Sequence, residues 1–239
     1  MSTEDLNEQR PGTPVGRRVV LGMVGLGVVG IAVGARAQSA VTRALGPVGS
    51  QVGGLIPAAG GFRYYSVVDG VRRRTPQDYE LSVTGMAGRP RSFTFAELQA
   101  MPQTEITKDF QCVTGWRVPA VHWSGVALPD LLDAVGADPK ATAVRFHSFD
   151  GAYTESLTMD QARRRDVVVA TTMLGAPVTH DHGGPVRLFV APMYGYKSLK
   201  WLGRIELTDK VVPGYWERRG YDVDAWVGRS NGRDDAPTT

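Results

Sequence analysis

Cysteine is almost missing from this chain: Cys112 is the only one among 239 residues. A single thiol excludes an intramolecular disulfide, a C-x-x-C redox pair and a Cys-rich zinc site. It also excludes a C-x-x-C-H haem attachment or an iron–sulfur cysteine set within this chain. Charge of one sign is scarce too. The formal charge is +3 and the arginines are dispersed. With no RNP, helix-turn-helix or zinc-finger pattern, nothing points to nucleic acid as a partner. Arg72-Arg73-Arg74 and Arg163-Arg164-Arg165 read as solvated turn or helix-end charges. No repeat of fixed period is present. Cys112 is therefore an inert packed thiol, a nucleophile, or one thiolate ligand to a metal held mostly by something else.

Long apolar runs are absent apart from Val19 to Ala35, which follows Arg17-Arg18 and is rich in Gly and Val. This is at the short limit for a bilayer span, roughly 17–25 residues. A charged start, a moderate apolar run and Ala35-Arg-Ala37 read as an export signal with a cleavage site. The arginine pair suggests the twin-arginine route, although Gly16-Arg-Arg-Val-Val-Leu21 lacks a Phe two residues after the pair. The competing reading is an uncleaved membrane anchor. Either places the folded part outside the cytoplasm, with membrane contact through the N-terminal segment. The expected organisation is 1–37 signal or anchor, 38–60 linker, 61–212 folded domain, and 213–239 C-terminal extension ending in a frayed tail.

Within the domain, the apolar pattern predicts strands over 64–68, 79–83, 144–149, 167–171, 186–190 and 201–207. Thr94-Phe-Ala-Glu97 and Thr158-Met-Asp-Gln161 are capping boxes that open short helices. Leu128, Leu131, Leu132 and Val135 mark another helix, stopped by Gly136. Helices this short and irregular point to a mixed α+β domain rather than a doubly wound α/β fold.

Three segments carry chemistry. They are Phe110-Gln-Cys-Val-Thr-Gly-Trp116, His180-Asp-His-Gly-Gly-Pro-Val-Arg187 and Tyr194-Gly-Tyr-Lys-Ser-Leu-Lys-Trp201. Each has a bland reading: a buried thiol, surface loop histidines beside a turn, and an amphipathic edge strand. Together they suggest a pocket for a large anionic cofactor. Gly183 and Gly184 let backbone approach a flat ligand. Arg187, Lys197 and Lys200 offer charge-assisted donors to phosphate, and Ser198 adds a neutral one. A thiolate suits a soft metal.

On these residues the chain resembles the molybdopterin-dependent oxidoreductases of the sulfite oxidase fold, and among them the exported catalytic subunit of bacterial methionine sulfoxide reductase. Cys112-Val113 with Trp116 matches the family's metal-binding segment. Gly183-Gly-Pro-Val-Arg-Leu188 and Tyr194-Gly-Tyr-Lys-Ser-Leu-Lys200 match two others, in the right order, over roughly residues 62–210. The resemblance implies a mixed-sheet molybdopterin-binding domain. It makes Cys112 the protein ligand to molybdenum, and Arg187, Ser198, Leu199 and Lys200 contacts to the pterin and its phosphate. His182 stands where the reductase has Asn and sulfite oxidases His. Ser148 stands where the reductase has Thr. Phe62-Arg-Tyr-Tyr65 replaces an Asn-x-x-Tyr-Glu pattern, with Tyr64 and Tyr65 as the corresponding contacts.

The chemistry so implied is two-electron oxo transfer by a Mo-molybdopterin enzyme, with Arg117, Tyr194, Tyr196 and Lys197 lining the substrate mouth. The substrate is a sulfoxide or related S- or N-oxide, or alternatively sulfite. About thirty residues follow the last predicted strand, too few for the extra domain of sulfite oxidases. Arg117 is the nearest candidate for an anion-binding arginine. Electrons would be exchanged with a membrane haem protein or soluble cytochrome. Two other readings stay open: a hydrolase using Cys112 with His122 or His147, and a catalytically silent exported binding domain.

Overall fold

Apolar residues at every second position build the first of two sheets. The computed structural model describes Phe62 and residues 64–238; the expected signal or anchor and the linker lie outside the described residues. The chain divides into two compact units, Met1–Asp69 and Gly70–Thr239. In the first, Tyr65 makes a single bridge where a strand over 64–68 is expected, and Ser66 Oγ donates to Val68 O at 2.7 Å. Among the described residues no helix is long and apolar enough to cross a membrane.

The second unit carries two five-stranded sheets. The first comprises β1 (Glu80–Gly85), β2 (Arg91–Thr94), β5 (Ala143–Ser148), β6 (Thr154–Thr158) and β10 (Leu202–Thr208), in the order β2-β1-β10-β5-β6. Only β1 and β10 run parallel, so the sheet is mixed. Leu81, Val83, Val144, Phe146, Ile205 and Leu207 point from it into the core.

The second sheet comprises β3 (Gln103–Gln111), β4 (Arg117–Ala127), β7 (Val167–Met173) and β8 (Ala176–Pro177) in that order, with β9 (Arg187–Val190) also paired to β7. Val167 to Ala170 is a continuous apolar run because it is buried on both faces. The helices are brief: α1 (Phe95–Ala100), α2 (Leu128–Ala134) and α3 (Met159–Ala162). Both capping boxes form, with Thr94 and Thr158 as N-caps. α2 buries Leu128, Leu131 and Leu132, and Gly136 follows it at φ +63°.

Two elements depart from the expectation. The β3–β4 hairpin was not anticipated, because β3 lies at a sheet edge and alternates exposed polar positions, with Pro119 inside β4. The tail does not fray. It packs back on the domain, Ala225 O accepting Tyr194 N at 2.9 Å and Thr238 Oγ1 donating to Ala191 O at 2.9 Å.

Candidate active site

Cys112 opens the loop of the long β3–β4 hairpin. Its N–H donates to Trp116 O at 2.9 Å, and its carbonyl accepts Gly115 N–H at 3.0 Å and Gln111 Nε2 at 3.0 Å. Gly115 sits at φ +98°, a backbone conformation that favours glycine. The half-buried thiol lies 3.2 Å from Thr114 Oγ1. Below the loop, Arg117 fixes the hairpin ends. Its Nε donates to Gln111 Oε1 at 2.6 Å and its Nη1 to Asp109 Oδ2 at 3.0 Å.

Phe110 ties this loop to the other two segments. Its ring stacks on Trp116 at 5.7 Å and on Phe189 at 6.4 Å. The Arg187 guanidinium lies 5.7 Å from its centroid and 5.1 Å from that of Trp123. A Cβ on Gly195 would fall 2.4 Å from Phe110 Cζ, so the chain at 195 can approach only as glycine.

Arg187, at the start of β9, is 2% exposed. Its Nη1 donates to His182 O at 2.7 Å and its Nη2 to Ser198 O at 2.9 Å, so one planar fork spans both loops. Ser198 Oγ accepts Val190 N–H at 3.0 Å, and Leu199 O accepts Leu188 N–H at 2.8 Å. Lys200 Nζ donates to Asp181 O at 3.3 Å and rests 4.0 Å from the Trp201 centroid. Gly183, at φ +99°, packs on Lys200: an added Cβ would come within 2.7 Å of Lys200 Cα.

Burial dominates the electrostatics of this cluster, with the Asp150 and Asp181 carboxylates opposing it at Lys200. Burial lowers Arg187 to about 9. Burial, then the Arg187 charge, lower Lys200 to about 7. Burial, then Arg187 and Lys200, lower His182 to about 4. Among the described residues no carboxylate forms an ion pair with Arg187. Burial is thus the first cause at all three groups, and a bound anion would offset it at the two cations.

Of the residues named from sequence, the fold gathers His182, Arg187, Ser198, Leu199 and Lys200, and couples Cys112 to them through Phe110. Ser148 is buried at the end of β5; its Oγ accepts Asp150 N–H at 3.1 Å, and the next residue donates through Phe149 N to Trp201 O at 2.7 Å. Tyr64 and Tyr65 belong to the first unit.

Lys197 has a different place from the one expected. It is fully buried, with Nζ 3.0 Å from Glu155 Oε2 and in contact with Glu217 Oε1. The 3₁₀ turn Gly195–Lys197 aims it into this ion triad instead of a substrate mouth. Tyr194 is also buried; its hydroxyl donates to Asp235 Oδ2 at 2.8 Å. Tyr196 OH donates to Asp222 O at 2.7 Å. Arg117 Nη2 contacts Ala236 O. His147 Nε2 lies 2.8 Å from Glu206 Oε2 and His122 Nε2 3.8 Å from Glu105 Oε2, so each turns to a carboxylate of its own sheet.

Sequence reasoning passed over Glu155, Glu217, Tyr221, Arg233 and Asp235. Tyr221 is pushed up first by burial and then by the nearby Cys112 charge, and it packs edge-on against Tyr196 with centroids 5.5 Å apart. The signal for the tail was its aromatic content: Tyr215, Trp216, Tyr221 and Trp226 are unlike a solvated end.

The sequence family described as "oxidoreductase molybdopterin binding domain" matches residues 68–216. The chain is 34% identical over 150 residues to the uncharacterized oxidoreductase YuiH of Bacillus subtilis, covering 62% of this chain and 75% of that protein. It is 30% identical over 156 residues to MsrP, the protein-methionine-sulfoxide reductase catalytic subunit of Ralstonia nicotianae, covering 59% and 47% of the two chains. Among solved structures it resembles the sulfane dehydrogenase SoxCD from Paracoccus pantotrophus, with a TM-score of 0.58 and 26% identity over 62% of this chain and 42% of that one. It thus spans less than half of the MsrP and SoxCD chains.

Proposed function

Because the chain belongs to the oxidoreductase molybdopterin-binding-domain family, we propose that it is a Mo-molybdopterin enzyme working outside the cytoplasm on a sulfoxide or related S- or N-oxide. The observation that carries the cofactor assignment is the cluster of His182, Arg187 and Lys200, in which the buried Arg187 fork joins the His182 and Ser198 loops. The donor set fits the group. A half-buried thiol on a tight loop suits a soft metal, and buried cations with glycine-lined backbone suit an anionic, flat ligand. When bound, the group supplies two-electron oxo-transfer chemistry.

The chain's own residues hold and orient. Cys112 serves as the metal ligand. Arg187 and Lys200 meet the phosphate, Ser198 and Leu199 contribute backbone groups, and His182, kept neutral, contacts the pterin. Ser148 completes the proposed contacts. Arg117 and Tyr194 stand beside the substrate approach as positioning residues.

The charge balance around the thiol supports a neutral substrate over sulfite. Arg117 is neutralised by Asp109, and Arg233 is neutralised by Asp235. A dianion would need free guanidinium donors. The family relationship to a methionine-sulfoxide reductase subunit is in line with this choice; sulfite oxidation is the alternative, and the relationship to a sulfane dehydrogenase is in line with an oxidising role. Export rests on the arginine pair and apolar run of the N-terminus. The electron partner would be a membrane haem protein or soluble cytochrome.

The deciding experiment is metal analysis of wild-type protein and Cys112→Ser, made in a host that synthesises the cofactor, followed by dye-linked assays with sulfoxides, N-oxides and sulfite. Stoichiometric molybdenum and S- or N-oxide reduction in wild type, with turnover lost in the variant, is the expected result. Wild-type protein without molybdenum would overturn it.

A further inference from the structure

Residues 217–238 lie beyond the family match, which ends at 216, yet they border the Cys112 loop. The Arg233 guanidinium rests on that loop: a Cβ on Gly115 would fall 3.1 Å from Arg233 Nη2. Asp235 grips Arg233 at both ends, accepting Nε at 2.6 Å and Nη2 at 3.1 Å. The same carboxylate accepts the Tyr194 hydroxyl at 2.8 Å, which anchors it to the domain. The next two residues occupy the other guanidinium beside the loop. Arg117 Nη2 contacts Ala236 O, and Nη1 donates to Pro237 O at 3.4 Å. The strap is fastened at its far end by Thr238 Oγ1 on Ala191 O, 2.9 Å.

Two cations therefore stand at the loop that carries the thiol, and the C-terminal strap supplies acceptors to both. A guanidinium whose fork is filled by a carboxylate has little left for a second anion, since bidentate pairing consumes its best-directed donors. The strap also brings a carboxylate, Asp235, to the guanidinium beside the Cys112 loop, and juxtaposed like charges are unfavourable for an oxyanion brought there. A neutral substrate with a polarised S–O or N–O bond meets neither obstacle.

We propose that the strap 233–237 is a selectivity element, with Asp235 as its specificity-determining residue: by occupying Arg233 beside the Cys112 loop it excludes oxyanions and admits neutral oxides. The proposal rests on the oxidoreductase reading for its substrate class, while the exclusion of anions is a property of the chain itself.

The test uses the full chain, cofactor-loaded and cofactor-free, as wild type, Asp235→Asn, Asp235→Ser and Arg233→Gln/Asp235→Asn. Sulfate binding is measured by calorimetry at low ionic strength, and the loaded proteins are compared on dimethyl sulfoxide and sulfite. Asn keeps an acceptor for Tyr194 while removing the charge. Sulfate affinity should rise about tenfold in Asp235→Asn, as one freed bidentate donor set would give, and return to the wild-type level in the double variant. The ratio of sulfoxide to sulfite kcat/KM should fall in the single variant. Unchanged sulfate affinity in both Asp235 variants, with melting curves like wild type, would overturn the proposal, as would a gain that survives loss of Arg233. Asp235→Ser supplies the same reading if Asp235→Asn does not fold. Wild type lacking molybdenum would sink the functional assignment and leave the sulfate titration to decide this inference separately.

Discussion

The ring of Phe110 fills the space that a side chain at Gly195 would need, with Phe110 Cζ 2.4 Å from the would-be Cβ. This contact joins the strand that ends at the Cys112 loop to the segment that bears Ser198 and Lys200. Gly195→Ala has to push the ring back, and overpacking of this kind costs about 1–3 kcal/mol. The expected outcome is a lower denaturation midpoint together with reduced molybdenum retention on gel filtration. A variant as stable as wild type with full metal content would show that the two segments are not coupled here.

Arg187 carries its role in geometry as much as in charge. One planar guanidinium reaches His182 O and Ser198 O at once. Lysine keeps the charge but reaches as a single point, leaving a buried carbonyl unsatisfied at a cost of about 1–3 kcal/mol. Arg187→Lys should therefore melt lower than wild type and lose cofactor on dialysis. Equal stability and equal cofactor retention would reduce Arg187 to a simple counter-charge.

How far the sequence carried the reading depends on where each element finds its partners. The strands around Val83, Val144, Val168 and Ile205 and the two capping boxes were legible, because alternation and capping are local signals. The three chemical segments were legible as motifs, and the fold does bring His182, Arg187 and Ser198 into hydrogen-bonded contact. The β3–β4 hairpin was not, since its polar edge strand is fixed by non-local partners, such as Asp109 Oδ1 accepting Ala120 N–H at 3.0 Å. Nor was the strap, whose anchors Tyr194 and Ala191 lie some forty residues away along the chain. Lys197 was misplaced for the same reason. Its partners Glu155 and Glu217 are 42 and 20 residues distant in sequence, and no local pattern marks them.

The Lys197 triad makes stability depend on pH. One buried ammonium faces two carboxylates, and neutrality needs only one of them ionised. Burial, with the Glu217 carboxylate adding to it and Lys197 opposing, pushes Glu155 up from 4.5 to about 8. A folded-state value above the unfolded one means that the fold holds the extra proton. The resulting stability is complete below about pH 4.5 and is lost as pH rises through about 8. Wild type should therefore lose stability from pH 5 to pH 8, and Glu155→Gln should flatten that decline. Lys197→Met, which leaves a carboxylate uncompensated, should cost about 3–5 kcal/mol at neutral pH. Urea titrations at several pH values check this; a Glu155→Gln profile parallel to wild type would refute it.

Lys200 shows the opposite sign and exposes a conflict between stability and binding. Burial and the Arg187 charge hold it at about 7, below its ordinary 10.5. The fold disfavours its proton, so a penalty is fully present below about pH 7 and fades as pH rises toward 10.5. Removing the charge with Lys200→Met should thus stabilise the cofactor-free protein at pH 6–7, by on the order of 2 kcal/mol once local hydration is allowed for. The gain should shrink at pH 9–10. In the loaded protein the order should reverse, because the phosphate that the ammonium meets in our assignment compensates the buried charge. Thermal melts of both forms at pH 6.5 and 9.5 give the four values required. If Lys200→Met destabilises the cofactor-free protein at pH 6.5, the contacts of Lys200 within the chain, with Asp181 O and Trp201 among them, outweigh the cost of its burial, and its assignment to the cofactor phosphate fails.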